Sequence, residues 1–165
     1  LTEVQQPANT LPAPGDDTTL VLIALGRGTQ NYTCGNASDT AKPTQIGAVA
    51  DLFNVSCAVA SGTLGSITED AAAVGTHWFV DTTTPDFDII GLGNTQAKKV
   101  ADMASPEAGN IAWLKLDAKP ESSTSAVKSI YRLHTVGGLA PSSCANVTPG
   151  ETITVAYEAQ YWVYA

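Results

Sequence analysis

The sequence predicts an all-β fold: a single-domain sandwich or barrel with long loops and at most short helices. Three observations carry that prediction. The C-terminal segment alternates, with Ile153, Val155, Tyr157, Ala159, Tyr161 and Val163 on one parity and Thr152, Thr154, Ala156, Glu158, Gln160 and Trp162 on the other, a period of two that only a strand presents as two faces. Runs rich in aromatic and β-branched residues recur between clusters of Gly, Pro, Asp and Ser, giving seven to nine strands. A chain of 165 residues buries a sizeable core within one domain.

Residues 1–18 hold three prolines and little periodicity, and are expected to form an extended N-terminal arm without packing of its own. The domain proper is expected to span residues 19–165. It opens with Thr19–Leu25, whose continuous apolarity fits a strand buried on both faces, stopped by a glycine-rich turn at Gly26-Arg27-Gly28. A strand resumes at Gln30–Cys34, before a polar loop at residues 35–45. Ile46–Ala60 carries both helical and alternating spacing; Gly47 and the β-branched content favour a strand. Residues 61–75, with Gly62, Gly65 and an acidic-alanine stretch, suit a turn or two of helix. Strands follow at Thr76–Val80, Phe87–Ile90, Lys98–Met103, Ile111–Asp117 and Ser129–Val136. In the last of these, Arg132 alternates with Ile130 and His134, so it is expected to face a core and pair with Asp51 or Asp88.

Charge and composition narrow the function. Eight basic residues against sixteen acidic ones give a net charge of −8, which argues against nucleic acid and anionic membrane surfaces, since both demand basic patches. The longest apolar run, Leu20–Leu25, is far short of the roughly 20 residues a membrane helix needs. Four of the seven asparagines, Asn31, Asn36, Asn54 and Asn146, stand in Asn-X-Ser/Thr triplets without proline. Random placement would give roughly one or two, so the chain reads as a secreted, extracellular glycoprotein. The first residue being Leu1 fits removal of a signal peptide. Three cysteines, Cys34, Cys57 and Cys144, allow one disulfide, and the remaining thiol is expected to be buried. No closely spaced Cys/His pairs occur, so no metal site is expected.

The residues able to carry chemistry are few. Gly26-Arg27-Gly28 follows an apolar strand as a dinucleotide fingerprint would, but Asn31 stands where the third glycine is required. No NAD-dependent dehydrogenase and no cofactor is expected. His77 and His134, with Asp86 or Asp88, would suit a divalent metal or a base–orienter pair if the strands brought them together. No Gly-X-Ser-X-Gly elbow is present. Asp88, Asp117, Glu151 and Glu158 are the strand-borne carboxylates on which glycoside hydrolysis would draw. Trp78, Tyr161 and Trp162 are the candidate ligand contacts, because a row of aromatic faces stacks on sugars and other apolar-faced molecules.

Several stretches together resemble a family of secreted domains of unknown function. They are Gly26–Cys34, Gly75–Phe79, Ala112–Leu116, Tyr131–Pro141 and the closing Tyr157–Tyr164. The family is abundant in filamentous fungi, occurs in bacteria and plants, and is often labelled malate dehydrogenase. The resemblance covers most of residues 20–165. It implies a fungal extracellular origin and a single domain, and it suggests that Cys34 pairs with Cys144, with Cys34–Cys57 as the alternative. His77 fits the family's pattern, whereas asparagine commonly stands where this chain has His134. It brings no catalytic residues.

The expected function is therefore a non-catalytic binding module for cell-wall carbohydrate, a small apolar ligand or a host surface. An extracellular hydrolase acting on a polysaccharide is the alternative. Its catalytic candidates are His77, Asp88, His134 and Glu158, at least some of which would have to converge in a cleft.

Overall fold

A computed structural model of the chain describes residues 1–64 and 72–165. The fold is a closed barrel of eight strands: β1 (Leu20–Thr33), β2 (Thr44–Asn54), β3 (Gly75–Phe79), β4 (Pro85–Ile89), β5 (Gly93–Met103), β6 (Trp113–Ala118), β7 (Ser129–Gly137) and β8 (Thr152–Tyr164). Each strand pairs antiparallel with its sequence neighbour, and β8 returns to β1 to close the ring. Because β8 pairs with β1, neither the first nor the last strand is a sheet edge.

The alternation of β8 sorts its residues between two cores. Tyr157, Ala159, Tyr161 and Val163 point inward, where they meet Leu22, Ala24, Leu52, Phe87, Leu116 and Ile130. Trp162 and Tyr164 point outward, yet they are buried as well, with Ile23, Leu25, Trp113, Tyr131 and Leu133. Two segments cover this outer cluster. The N-terminal arm lays Leu11 and Val4 on it, held where Tyr131 Oη donates to Pro12 O and Gln6 Nε2 donates to Tyr164 Oη. A one-turn helix, α1 (Ser56–Ala60), adds Val59. It is docked by Val55 N donating to Ile23 O and Ile23 N donating to Ser56 Oγ. The strand expected over Ile46–Ala60 thus ends at Asn54, and Ser56–Ala60 is helical. The helix expected within residues 61–75 falls largely on 65–71, outside the described residues.

Gly26-Arg27-Gly28 is not a turn; β1 runs straight through it. Inside the barrel a Cβ on Gly26 would lie 2.5 Å from the Tyr161 ring, so the glycine makes room for a large inward side chain. At the other surprise, β7, a bulge interrupts the pairing between Leu133 and Val136, with His134 at φ +47°. The bulge breaks the alternation that put His134 on the same face as Arg132.

A disulfide joins Cys34 to Cys144, as the resemblance suggested. It ties the β1–β2 loop to the β7–β8 loop, at one end of the barrel, where Cys144 N donates to Ala41 O and Gly150 N to Cys34 O. Cys57 is free and exposed, contrary to the burial expected of the third thiol: it lies on α1, whose apolar contacts with the barrel run through other residues.

Candidate functional site

The strands are unequal, and the inequality opens the barrel. β3 and β4 have five residues each, between β2 and β5 with eleven. Pairing to β3 covers only Ala50–Leu52 of β2, and pairing to β4 covers only Gly93–Gln96 of β5. The rest of β2 and β5 therefore flank a gap beside the β3–β4 turn. There the inner core gives way to a cavity of about 540 Å³, within the size range of small-molecule sites. Phe79, Leu114, Leu116 and the ring of Tyr161 form its apolar wall.

His77 sits in this wall, 3% exposed. Its ring stacks on Phe87 at 4.1 Å between centroids and tilts against Tyr161 at 5.4 Å. Nδ1 lies 2.8 Å from the carbonyl oxygen of Asp86. A carbonyl only accepts, so Nδ1 carries the hydrogen and Nε2 keeps its lone pair. Burial pushes the imidazole down to about 4; the bond to Asp86 opposes the shift, and the charge of Arg132 adds to it. The ring is neutral at neutral pH.

Arg132 is the buried cation that lines the cavity. Nε and Nη2 both donate to Ala112 O, at 3.2 and 2.8 Å. The expected pairing with Asp51 or Asp88 does not form, because both carboxylates are exposed on strand positions opposite in parity to the inward residues. Among the described residues no carboxylate makes an ion pair with Arg132. Its charge also acts on the Tyr161 phenol in the wall. Tyr161 Oη lies 2.8 Å from Tyr157 Oη, and burial raises both phenols above their ordinary range. Lys98, Lys99 and Lys119 complete the cationic side; Lys119 Nζ donates to Thr84 Oγ1 at 3.0 Å, and Lys99 is 3.1 Å from Asp102.

The four catalytic candidates do not meet. His77 is inside; Asp88 is exposed on the outer face of β4. His134 lies outside at the bulge, edge-on to Trp113, in a second, smaller depression with Glu107. Glu158 is outside on β8, paired with Arg27 at 2.9 Å. Of the three ligand candidates only Tyr161 reaches the cavity. Trp78 is half-buried on the outer parity of β3, and Trp162 is covered in the outer cluster, donating to Gln160 Oε1. Among the acceptor asparagines, Asn36, Asn54 and Asn146 are exposed and Asn31 is half-buried. No group of three or more His, Cys, Asp or Glu arranged for a metal occurs among the described residues. Phe79, Leu114 and Lys119 escaped the sequence reading. The inward parity of Leu114 was its only signal, while Phe79 and Lys119 reach the cavity through the shortness of β3 and β4.

Fold and cavity together define a closed antiparallel β-barrel with one breached wall. The chain belongs to the family described as protein of unknown function (DUF3455), whose model matches residues 14–165. No curated protein and no solved structure matches it.

Proposed function

We propose that the protein is a secreted, glycosylated binding module that takes a small, apolar-bodied molecule into the open side of the barrel and does no chemistry on it. The cavity carries this reading: it is the right size, it is reached from solvent, and its wall is built from Phe79, Leu114, Leu116 and Tyr161. Binding is favoured over hydrolysis because His77, the one histidine among the described lining residues, is oriented by a backbone carbonyl rather than by a carboxylate. A flat carbohydrate platform is disfavoured because Trp78, Tyr161 and Trp162 do not share a face. The Cys34–Cys144 disulfide and three exposed Asn-X-Ser/Thr acceptors support export through an oxidising pathway.

The test is a fluorescence titration with N-phenyl-1-naphthylamine, a neutral probe that brightens in apolar sites. Saturable binding is expected for the wild type, and at least about tenfold weaker binding for Leu114→Trp, whose indole intrudes on the apolar wall. Absence of saturable binding to the wild type would overturn the reading.

A further inference from the structure

The cavity is cationic in a chain that is strongly anionic. Four of the eight basic residues, Lys98, Lys99, Lys119 and Arg132, line it, whereas Asp102 is the single carboxylate among its described lining residues and is already engaged by Lys99. Screening and hydration explain lysines at a rim. They do not explain Arg132, a guanidinium that is 9% exposed and whose partners among the described residues are a carbonyl and a phenol. Burying a guanidinium without a counter-charge is strongly unfavourable, and a fold that needed only the hydrogen bond to Ala112 O would be served by a neutral donor. The planar fork turns Nε and Nη2 to Ala112 O, so beyond this carbonyl and the Tyr161 phenol it keeps N–H donors to offer. That is the geometry in which an incoming oxyanion completes the site.

We propose that the ligand is an organic anion: a molecule with an apolar body that lies along Phe79, Leu114 and Leu116 and a carboxylate or equivalent acidic group that seats on Arg132, with Lys119 and Lys98 drawing it in. The proposal rests on the binding reading above and specifies its ligand class. The apolar wall supplies affinity in proportion to the area covered; the cation selects the head group, because a neutral analogue leaves the guanidinium unpaired. His77, neutral and with a free Nε2 lone pair, accepts a hydrogen bond from a ligand hydroxyl but does not compete for the anion.

The experiment displaces N-phenyl-1-naphthylamine with dodecanoate and with dodecanol, which share a chain and differ in charge. Dodecanoate is expected to displace the probe at a concentration at least about tenfold below that of dodecanol, and added salt is expected to narrow the gap. In Arg132→Gln, which keeps a donor for Ala112 O, the gap between acid and alcohol is expected to close. Should that variant fail to fold, Lys119→Gln together with the salt series on the wild type serves in its place, each being expected to narrow the preference for the acid. Equal displacement by acid and alcohol, independent of salt, would overturn the anion assignment while leaving the cavity a binding site. A wild type that binds no probe would overturn both.

Discussion

A histidine stacked on a phenylalanine and bonded to a main-chain carbonyl is a residue that folding has forced to stay neutral. An unfolded imidazole titrates near 6.5, and His77 in the barrel titrates at about 4. Between those values the unfolded chain binds a proton that the folded chain refuses, so stability rises with pH across that window and is lost as pH falls from about 6.5 towards 4. The full effect is on the order of 3 kcal/mol for a ring this buried. Urea unfolding of the wild type and His77→Gln should therefore give stability curves that converge as pH falls through this range; parallel curves would show that the ring is not so constrained. At this scale the sequence told a part. Alternation placed Arg132 correctly on an inward face, but its supposed carboxylate partners lie outside, because pairing across a barrel depends on which residues meet in three dimensions. His134 was misplaced by one bulge, a change of φ at one residue that no periodicity registers.

Elements were more legible. The strand character of Ser129–Gly137 and Thr152–Tyr164 followed from a period of two, and the apolar run at the start of β1 correctly signalled burial on both faces. What covers the outer face was hidden. The arm supplies Leu11 and Val4 through an irregular, proline-bearing path with no period to detect, and α1 is too short to announce itself. Leu11 is 9% exposed although it belongs to no strand or helix. Leu11→Ala is expected to destabilise the fold by about 2 kcal/mol and to shift tryptophan emission to the red as water reaches Trp162 and Trp113. An unchanged urea midpoint and spectrum would show that the arm does not secure the outer cluster. β3 and β4 were also readable as strands, yet their shortness relative to β2 and β5, which opens the cavity, becomes meaningful only once the four stand side by side.

Across the whole molecule the fold class was readable and the closure was not, since sandwich and barrel share the same strand signals. The disulfide adds a long-range constraint, linking residues 110 apart. Loop-closure entropy for a span of that order corresponds to roughly 4 to 5 kcal/mol. The double variant Cys34→Ala/Cys144→Ala is expected to lose about that much stability in urea unfolding while keeping the same strand content by circular dichroism. A loss below about 1 kcal/mol would mean that the unfolded chain is already compact enough for the link to matter little. The link also fastens two loops at the end to which the β3–β4 turn belongs, so the protein is cross-linked beside its opening.

The pairing of β1 with β8 carries a consequence for the order of the chain. Thr19 and Ala165 exchange both of their main-chain hydrogen bonds, and Leu1 and Thr2 gather beside Thr19 and Tyr164. The start of β1 and the end of β8 are neighbours, and every strand has the same two neighbours it would have on an unbroken loop. Topologically the molecule is a necklace with one open clasp. A circular permutant, closed by a short linker at that clasp and opened in the β4–β5 hairpin at Gly91, would string the same eight strands in the same cyclic order around the same cavity.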